Sequence, residues 1–567
     1  MTKMIRVNLT NGAIHSESVP DKYFMLGGRG LTSQIIFDEV NPTCDPLGKD
    51  NKLVIAPGLL TGTPAPCSSR LSIGAKSPLT GGIKESNAGG TVAKKLANLG
   101  IKAIILEGSP QLSRWHVLKI TKSEVTILPA DDIVGLANYE TMAKLRAVYG
   151  PKVGILSIGP GGERKMGAAT IAVIDPEGRP CRHCGRGGLG AVMGSKGIKA
   201  VVIDDQGADE HIFDISDFDG FREVSHSWAK NLIQAKAVLT NFGTAVLVTP
   251  VNTVGGLATR NYSAGTFEGA DKINGAALAE TVKGRNGKTG HACSPGCVIR
   301  CSNIYNDEEN KYLTSGLEFE TIVLMGSNLS VDSLDVIAAL DRRCDDYGLD
   351  TMEMGNAIGI AMEAGIVSFG DGKAALKLLD DVASGTELGL VLGQGATTAG
   401  KVLGITRVAA TKGQGMAAYD PRALKGTGVT YATSPMGADH TAGNLIPGRG
   451  GVECNSADGQ IKASRDIQMM STVLDNMGLC LFVGPMFPEM GVISQLMTKA
   501  LGRTFSVEEL LEISKGILRT ELAFNRAAGL TKADDRLPKF FSVEKLSPKS
   551  LTFDISDQDL DQVYSDL

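Results

Sequence analysis

Three cysteines in one short stretch are the residues whose type and spacing most directly predict chemistry. They stand in Cys293-Ser-Pro-Gly-Cys297-Val-Ile-Arg-Cys301, at positions i, i+4 and i+8. The Pro-Gly pair argues against a helix, because proline lacks an amide donor and its ring clashes with the preceding turn. We therefore predict an irregular loop that turns three thiols toward one point. Such a loop suits an iron–sulfur cluster, which is held by four thiolates.

Cys480 is the candidate for the fourth ligand. It ends the sequence Asp475-Asn-Met-Gly-Leu-Cys480, far downstream of the other three. The alternative is that some of these residues are ordinary core cysteines, since free cysteine is among the most buried residue types.

The composition indicates a multidomain globular protein. The chain has 567 residues, too many for one hydrophobic core, and this length suggests about three domains. Hydrophobic residues make up 43% and charged residues 21%, and the net charge of −5 gives no support for binding nucleic acid or an anionic membrane. Glycine, at 70 residues, exceeds its usual ~7% share and favours close backbone approach to a large, phosphate-rich cofactor.

The N-terminus predicts a cytoplasmic protein. The sequence Met-Thr-Lys-Met-Ile-Arg-Val-Asn-Leu lacks an apolar signal core. We find no uninterrupted apolar run approaching the ~18 residues of a transmembrane segment. In the cytoplasm most of the ten cysteines would be reduced thiols or metal ligands rather than disulfides.

A weak internal repeat organises the sequence before about residue 205. Two glycine-rich stretches, 77–90 and 185–194, each precede a short helical pattern and a near-identical strand, Gly100-Ile-Lys-Ala-Ile-Ile-Leu or Gly197-Ile-Lys-Ala-Val-Val-Ile. We therefore predict a pseudo-symmetric sheet domain with two equivalent helix N-termini. Free amides at helix N-termini bind phosphate, so the pair fits a cofactor with two phosphate arms. The clearest strand-like runs are 52–56, 103–107, 125–128 and 200–204.

A dinucleotide fingerprint is the competing interpretation of Gly185-x-Gly187-x-x-Gly190. That fingerprint needs a strand immediately before it and an acidic residue about 20 positions later. The preceding residues, 179–184, do not resemble a strand, and the first carboxylates arrive early, at Asp204 and Asp205. We therefore disfavour a Rossmann site.

After about residue 206 the patterns become helical. Apolar residues recur with a period of 3.6 in 333–341, 355–365 and 507–515. Glycine and proline clusters suggest a boundary near residue 410. We predict an α+β protein with a β-sheet domain at 1–205 and two mainly helical domains at 206–410 and 411–567.

Two copies of an Asp-x-x-Gly-Leu motif lie one in each predicted helical domain. They are Asp345-Asp-Tyr-Gly-Leu-Asp350 and Asp475-Asn-Met-Gly-Leu-Cys480. In each copy the glycine is suited to cap a helix in the left-handed conformation. The carboxylates, left in the exposed loop, can accept hydrogen bonds from the N–H and NH₂ edge of a pterin. Each motif could instead be a simple helix cap.

The sequence resembles the aldehyde ferredoxin oxidoreductase family of tungsten or molybdenum enzymes, which carry a bis-pterin cofactor and a [4Fe-4S] cluster. The similarity covers nearly the whole chain. Besides both Asp-x-x-Gly-Leu motifs, the segments that carry it are Pro57-Gly-Leu-Leu-Thr-Gly-Thr-Pro-Ala-Pro, Lys76-Ser-Pro-Leu-Thr-Gly-Gly-Ile, Gly185-Arg-Gly-Gly-Leu-Gly-Ala-Val-Met-Gly-Ser-Lys196, Gly437-Ala-Asp-His440 and Asp534-Asp-Arg-Leu-Pro538.

The resemblance implies a sheet domain as the base of the cofactor, covered by two helical domains. It implies that the cofactor ligands are Arg70, Asn87, Gly89, Arg182, His183, Gly185, Arg186, Gly187, Asp345, Gly348, Leu349, Asp350, Asp475, Gly478 and Leu479. It also implies that the cluster ligands are Cys293, Cys297, Cys301 and Cys480. A phosphate-bridging Mg²⁺ is implied at Asn87 and at the backbone carbonyl of His183.

Three cysteine features depart from the family pattern. Three residues separate Cys293 from Cys297, where the family often has two. Cys181 and Cys184 form a C-x-x-C pair, which alone would suggest zinc or redox chemistry. We favour unpaired thiols that line the cofactor, and Cys67 lies in a similar loop.

For catalysis the resemblance points to Glu320 and His440. A carboxylate can activate water as a general base if burial raises its pKa, and a histidine can polarise a carbonyl or shuttle a proton. The alternatives are an ion-paired Glu320 and a structural His440. Glu318 is a competing base and Tyr419 a candidate helper.

We expect an enzyme that oxidises an aldehyde to its carboxylic acid and passes electrons through the cluster to ferredoxin or an iron–sulfur partner subunit. One alternative is a reductase of an activated acid or aromatic thioester. Another is an electron-transfer subunit whose chemistry belongs to a partner. We expect a homodimer or a hetero-oligomer, with no nucleic-acid partner. Substrate identity and the choice between tungsten and molybdenum stay open.

Overall fold

Two six-stranded sheets form the first part of the chain. The computed structural model describes residues 2–110, 114–208 and 214–567. The first sheet and its helices are β1 (Lys3–Asn8), β2 (Ile14–Ser18), α1 (Gly28–Glu39), β3 (Leu53–Pro57), β4 (Leu71–Lys76), β5 (Ile83–Ala88), α2 (Val92–Asn98) and β6 (Ile101–Glu107). The second set is β7 (His116–Ile120), β8 (Val125–Pro129), α3 (Asn138–Tyr149), β9 (Gly154–Ser157), α4 (Pro160–Glu163), β10 (Ile171–Val173), β11 (Arg182–Cys184), α5 (Leu189–Ser195) and β12 (Ile198–Ile203). The four strongest strand predictions correspond to β3, β6, β8 and β12.

The two sheets have the same topology. Their strand orders are β2-β1-β6-β3-β4-β5 and β8-β7-β12-β9-β10-β11. In each sheet the last strand in sequence pairs parallel with the first and antiparallel with the third. The prediction of a pseudo-symmetric sheet domain is therefore confirmed, and the repeated Gly-Ile-Lys-Ala segments begin the equivalent strands β6 and β12.

Strand register makes Asn87 and His183 equivalent residues. On β5, Asn87 pairs with Ser72 of β4. On β11, His183 pairs with Ala172 of β10. Each of these two residues is the last but one of its strand, and each strand forms the edge of its sheet. The repeat therefore has an amide side chain in one sheet and an imidazole at the equivalent position in the other.

Apolar packing follows the same symmetry. The inner faces of both sheets share one hydrophobic cluster with α2 and α5. The outer face of the first sheet is covered by Leu31 and Ile35 of α1, and that of the second by Met142 and Leu145 of α3. Strands buried on both faces explain the continuous apolar runs of β3 and β12 in the sequence.

One argument against the Rossmann interpretation was wrong, although its conclusion stands. A strand, β11, does precede Gly185 directly. However, β11 is a three-residue edge strand that pairs antiparallel with β10, and β12 lies between β7 and β9. The parallel βαβ unit that a dinucleotide site requires is therefore not formed here.

The rest of the described chain is mainly helical, and the predicted α+β class is confirmed. Its helices are α6 (Phe218–Ala235), α7 (Ala237–Phe242), α8 (Val248–Val254), α9 (Ala270–Ile273), α10 (Gly275–Gly284), α11 (Phe319–Leu324), α12 (Leu334–Tyr347), α13 (Thr351–Glu363), α14 (Gly372–Ser384), α15 (Glu387–Gly393), α16 (Ala396–Leu403), α17 (Lys425–Thr433), α18 (Gln460–Met477), α19 (Phe487–Leu501), α20 (Val507–Ala527), α21 (Phe540–Val543) and α22 (Asp557–Leu560). Its short strands are β13 (Lys288–His291), β14 (Ser302–Asn306), β15 (Tyr312–Ser315), β16 (Ala410–Thr411) and β17 (Gln414–Gly415).

The two helices that carry the Asp-x-x-Gly-Leu motifs end as the sequence predicts. Gly348 ends α12 with φ +69°, and Gly478 ends α18 with φ +74°. Glycine adopts this left-handed conformation without the steric cost of a Cβ. Each aspartate that opens a motif therefore lies in the last turn of its helix, directly before a sharp reversal of the chain.

The proposed boundary near residue 410 stays a prediction. One large hydrophobic cluster includes Ile322 and Ile358 from the segment before it and Tyr431 and Phe541 from the segment after it. The two helical segments therefore share part of their core.

No single helix in the described part of the chain is long and apolar enough to cross a bilayer by itself. One pair, Phe319–Leu329 and Leu334–Tyr347, passes the length and composition test when taken together, with a bend of 116° between its members.

Candidate active site

The cysteine trio occupies an irregular loop between β13 and β14, as predicted. In this loop Gly296 adopts φ +76°, and the thiols of Cys293 and Cys297 are hydrogen-bonded neighbours. Cys301 ends the loop and is buried. Burial raises the pKa of the Cys480 thiol to about 12, and the nearby Cys293 and Cys297 contribute to the increase. The four predicted cluster ligands therefore lie together.

Cys67 lies beside this group. Its backbone N–H donates to the carbonyl of Gly296 (3.0 Å), and its carbonyl accepts from the N–H of Cys480 (2.9 Å). Its thiol contacts that of Cys297. The residue adopts φ +57°, unusual for a side chain other than glycine, and it joins the cysteine loop to the segment that carries the fourth thiol.

The two Asp-x-x-Gly-Leu loops contact the two sheets through equivalent backbone hydrogen bonds. The N–H of Arg70, just before β4, donates to the carbonyl of Gly478 (3.0 Å). The N–H of Thr170, just before β10, donates to the carbonyl of Gly348 (2.9 Å). The symmetry of the sheets therefore extends to the helical loops that cover them.

Side chains repeat the same pattern in the first sheet and the second. Arg70 Nε donates to Asn87 Oδ1 (2.8 Å), and Asn87 Nδ2 donates to Asp475 Oδ1 (3.2 Å). In the second sheet Thr170 Oγ1 lies 2.7 Å from His183 Nδ1, and His183 Nε2 lies 3.1 Å from Asp345 Oδ1.

The motif carboxylates are not in exposed loops, and that expectation was wrong. Asp345 and Asp350 are 7% and 4% exposed, and the side chain of Asp475 is 13% exposed. Helical segments pack over both loops, which buries them. Asp475 lies 3.4 Å from Arg29 Nη1, and Asp350 accepts a hydrogen bond from Arg186 Nε (3.2 Å).

A cavity of about 330 Å³ brings most of the predicted site residues together. The predicted residues that line it are Arg70, Asn87, Gly89, Arg182, His183, Gly185, Cys293, Cys301, Glu320, Asp345, Leu349, Asp350, His440 and Cys480. Those that do not line it are Arg186, Gly187, Cys297, Gly348, Asp475, Gly478 and Leu479. Arg186 supports the wall from behind, since it bonds to Asp350 and to the carbonyl of Ala438 (2.6 Å).

Glu320 and His440 form an ion pair in this cavity. His440 Nε2 lies 3.0 Å from Glu320 Oε1. Glu320 is in the first turn of α11, and His440 follows Asp439, whose Oδ2 accepts a hydrogen bond from the buried Lys84 (2.6 Å). Asp439 also caps the short turn that His440 begins, which fixes the position of the imidazole.

The ion pair shifts both pKa values. Burial disfavours the charged form of Glu320, but the charge and hydrogen bond of His440 outweigh it, so the pKa of Glu320 lies below its usual range. On the histidine burial is likewise outweighed by Glu320, and the pKa of His440 is raised. Each member of the pair therefore stabilises the charged form of the other.

Glu318 meets the condition that the sequence argument set for a general base, whereas Glu320 does not. Burial raises the pKa of Glu318 to about 7, although Thr244 donates a hydrogen bond to it (2.7 Å). Glu318 and Glu320 flank Phe319 in the sequence, and both residues line the cavity.

Tyr419 connects this group to a further wall of the cavity. Its hydroxyl lies near the side chains of Glu320 and Asn444. Its ring stacks on Phe319, with centroids 4.8 Å apart. Sequence reasoning named Tyr419 only as a helper and missed Thr244, Asn444 and Arg449, which lie in loops or short turns without a recognisable pattern.

The C-x-x-C pair does not act as one unit. Cys181 lines the cavity and donates to Asp175 Oδ2 (3.2 Å). Cys184 is packed in the hydrophobic cluster between the sheets, with its thiol 3.8 Å from the carbonyl of Leu71. All ten cysteines are free thiols. The interpretation as cofactor-lining thiols therefore fits Cys181 and does not fit Cys184.

Comparison with known proteins identifies the family. The family described as aldehyde ferredoxin oxidoreductase, N-terminal domain, matches residues 4–205, and that described as aldehyde ferredoxin oxidoreductase, domains 2 & 3, matches residues 222–566. The chain belongs to the aldehyde ferredoxin oxidoreductase family.

The sequence is similar to relatives from two functional classes. A tungsten-containing aldehyde ferredoxin oxidoreductase of Pyrococcus furiosus is 33% identical over 96% of this chain and 92% of its own length. The WOR-like subunit of an aliphatic sulfonate oxidoreductase from the same organism is 27% identical over 79% of this chain and 76% of its own.

A solved structure shares the fold. It is the active site complex BamBC of benzoyl coenzyme A reductase in complex with 1,5-dienoyl-CoA, which superposes with a TM-score of 0.79. The two chains are 19% identical in sequence, and the superposition covers 95% of this chain and 90% of the solved chain.

The cavity of this family member fits the anionic cofactor and cluster that its sequence implies. Arg182 is buried, and its Nε has no hydrogen-bond partner among the described residues. A Cβ on Gly89 would lie only 3.0 Å from the sulfur of Cys293, so glycine leaves that thiol room to turn. Arg70 is half-buried and lies close to Cys480 and Cys293, where a cation offsets the charge of thiolates. An unpaired buried donor and converging thiols are features that an apolar core would not retain.

Proposed function

We propose that the protein is a tungsten-dependent, or molybdenum-dependent, oxidoreductase that oxidises an aldehyde to its carboxylic acid. The reaction is R–CHO + H₂O → R–COO⁻ + 3 H⁺ + 2 e⁻. A C–O bond to the oxygen of water forms and the aldehydic C–H bond breaks. The two electrons would pass to ferredoxin or an iron–sulfur partner subunit, and Cys293, Cys297, Cys301 and Cys480 would hold the [4Fe-4S] cluster that carries them.

One observation carries the proposal: the Glu320–His440 pair shares a single cavity with thiols of the predicted cluster. Glu320 and His440 line it together with Cys293, Cys301 and Cys480. Groups that move protons are thereby placed beside groups that can hold an electron carrier, as oxidation of a carbonyl compound in water requires.

Several residues would hold the cofactor, which supplies two-electron oxidation at its metal when bound. The two motif loops offer Asp345 and Asp475 to the pterins, while Arg70 and Arg182 offer positive charge to the phosphates. Mg²⁺ would lie near Asn87 and the backbone of His183. Asp350 and Arg186 would support the same wall from a buried ion pair.

The ionised Glu320 can accept a proton from the attacking water, and the protonated His440 can donate to the carbonyl oxygen. A low pKa makes Glu320 a weaker base than its burial alone would give. Glu318, with a pKa of about 7, is better matched to exchange a proton at neutral pH. We therefore assign Glu318 the onward transfer of protons from the cavity.

The outer side of the cysteine loop offers a way out for electrons. Pro295 and Gly296 line an open surface groove of about 1040 Å³, together with Arg222 and Glu223 of α6. A ferredoxin or partner subunit seated in this groove would approach the cluster across one loop. We propose a cytoplasmic protein that works as a homodimer or in a hetero-oligomer.

Glu320→Gln and His440→Gln test the catalytic assignment. Each should lower kcat for aldehyde oxidation by about 10²–10⁴-fold, because removing a positioned acid or base costs this much. The assay is anaerobic reduction of a viologen dye by an aldehyde panel. Metal and iron contents equal to wild type are the control, and full activity in either variant would contradict the assignment.

The pH profile tests Glu318. Since Glu318 must lose a proton to accept one, wild-type kcat should rise as the pH increases through about 7. Glu318→Gln should remove this inflection, whereas an unchanged acid limb would show that Glu318 has no part in proton transfer.

Two alternatives predict different results from the same assay. A reductase of an activated acid or aromatic thioester would run better in the opposite direction, with reduced viologen as the electron donor. An electron-transfer subunit would show no steady-state turnover of any aldehyde without a co-purifying partner.

A further inference from the structure

The cavity that contains the Glu320–His440 pair is also lined by apolar side chains, among them Leu247, Ile446, Leu481 and Phe482. Among these apolar side chains the cavity is also lined by Arg449 and Asn444. Pockets that combine an apolar wall with a few polar groups are typical of small-molecule sites.

Arg449 differs from the fully buried arginines that stabilise this fold. Arg29 pairs with Glu521 (2.7 Å), Arg186 with Asp350 (3.2 Å) and Arg422 with Asp420 (2.7 Å). Arg449 has no carboxylate oxygen within 4.0 Å of its guanidinium among the described residues, and its Nη1 donates to the carbonyl of Asn444 (3.0 Å). The guanidinium therefore keeps most of its donors free for a ligand.

The surroundings of Arg449 do not supply the missing anion. Burial lowers the pKa of Arg449, and the nearby Tyr419 only partly restores it. The neighbouring Lys236 adds a second positive charge, while Glu489 interacts with Lys236 and leaves Oε2 without a hydrogen-bond partner. Of these residues Arg449 lines the cavity and Glu489 does not, so a positive charge faces the cavity.

The carboxylates of Glu318 and Glu320 already interact with other residues. Glu320 is held by His440 and Tyr419, and Glu318 by Thr244. Neither forms an ion pair with Arg449. An anion bound at Arg449 would therefore replace no internal contact.

Arg449 and the Glu320–His440 pair line the same cavity. Arg449 Nη1 donates to the backbone carbonyl of Asn444 (3.0 Å), and Tyr419 lies near the side chains of both Asn444 and Glu320. A single small ligand in this cavity can therefore contact both Arg449 and the Glu320–His440 pair.

We propose that the natural substrate is an aldehyde that also carries a carboxylate, and that Arg449 binds this carboxylate. The inference rests on the proposed aldehyde oxidation and names the substrate class of that site. The planar guanidinium matches a carboxylate in a two-bond fork, which orients the far end of the substrate as well as attracting it. The product would then be a dicarboxylate.

The test compares succinic semialdehyde with its methyl ester, which has the same chain without the charge. The anaerobic holoenzyme should prefer the acid in kcat/KM. Arg449→Gln should lower the acid-to-ester ratio by about 10–100-fold, because hydrogen bonds to charged groups contribute ~1.5–3 kcal/mol each. Arg449→Lys should give an intermediate ratio, since it keeps the charge and loses the fork.

Controls separate a local effect from a general one. Arg503→Gln removes an arginine whose ion pair with Glu509 lies on the surface, and it should leave the ratio as in wild type. Each variant should carry the same metal and iron content as wild type. A ratio that does not change in Arg449→Gln, or a wild-type preference for the ester, would overturn the proposal.

A binding measurement keeps this inference separable from the proposed function. Succinate should bind the wild-type holoenzyme in calorimetry, and binding should weaken by about 10-fold or more in Arg449→Gln. If no aldehyde is oxidised but succinate binds through Arg449, the proposed function fails and the anion site stands. If aldehydes are oxidised and succinate does not bind, the anion site fails alone.

Discussion

The two sheets of the N-terminal part hold the two Asp-x-x-Gly-Leu loops in the same way but end in different chemistry. In one half the N–H of Cys480 donates to the carbonyl of Cys67 (2.9 Å). In the other the N–H of Asp350 donates to the carbonyl of Ala168 (2.9 Å). Cys480 and Asp350 thus occupy equivalent places, and the first faces the other cysteines while the second pairs with Arg186.

This difference shows how one backbone arrangement can support two tasks. The carboxylate half keeps its charge inside the protein through a buried ion pair. The cysteine half lies beside a loop that supplies three further thiols. The residue type at the end of the motif therefore decides whether this position joins a buried ion pair or is a predicted cluster ligand.

The largest expected effect comes from exchanging the ligand type in one half. Cys480→Ser should lose cluster iron and lower activity by more than the ~10–100-fold that loss of an outer-shell partner costs, because a direct ligand is removed. Asp350→Asn, the matched change in the other half, should keep its iron. Iron analysis and EPR of both variants are the measurement, and unchanged iron and EPR signal in Cys480→Ser would show that Cys480 is not a ligand.

The backbone contact of the two halves can be broken at equivalent glycines. A Cβ on Gly58 would overlap the backbone of Met477 and Gly478, and one on Gly159 would overlap the backbone of Asp346 and Tyr347. Gly58→Ala and Gly159→Ala should therefore each destabilise the protein by about 3 kcal/mol or more, at the upper end of the range for overpacking. Thermal unfolding measures this, and a large loss in one variant with none in the other would disprove the equivalence of the two contacts.

A pH-dependent effect distinguishes Asp475. Burial raises the pKa of this carboxyl in the cofactor-free protein, although Arg29 partly opposes the shift. The carboxyl therefore favours the folded state most when it is protonated, below its unfolded pKa, and this contribution is lost as the pH rises through the folded pKa.

Asp475→Asn should accordingly make the cofactor-free protein more stable at pH 7, on the order of 1 kcal/mol, and should flatten the fall in stability above about pH 4. Melting temperatures from pH 4 to pH 8 provide the measurement, with the exposed Asp458→Asn as control. A lower melting temperature of Asp475→Asn at pH 7 would contradict this account.

The smallest expected effect lies outside both loops. Gly491 is inside α19, and a Cβ there would meet no atom within 4 Å. Gly491→Ala should stabilise the protein by about 0.5–1 kcal/mol, because alanine loses less backbone entropy in a helix. Destabilisation instead would mean that glycine substitutions are harmful for reasons unrelated to the loop contacts.

Local signals in the sequence were sufficient for part of this account. The repeated Gly-Ile-Lys-Ala segments predicted two equivalent sheets, and Gly348 and Gly478 predicted the ends of two helices. Pro295 and Gly296 predicted the irregular cysteine loop. Each of these features depends on residues close together in the chain, which is why a pattern reveals it.

Features that depend on distant segments were not predictable in this way. The equivalence of Asn87 and His183 follows from strand register, which is set by pairing across each sheet. The depressed pKa of Glu320 depends on a histidine 120 positions away in the sequence. Burial of the motif carboxylates, the unpaired state of Arg449 and the separation of Cys181 from Cys184 likewise arise only when the segments pack.

The central claim is that the cavity holds a redox metal cofactor beside an iron–sulfur cluster. Metal analysis of anaerobically purified protein tests it most directly, with tungsten, molybdenum, iron and zinc counted per chain. The account predicts about one tungsten or molybdenum and about four iron atoms, one cubane cluster. Zinc without either heavy metal, from protein produced with an adequate supply of tungsten and molybdenum, would contradict it.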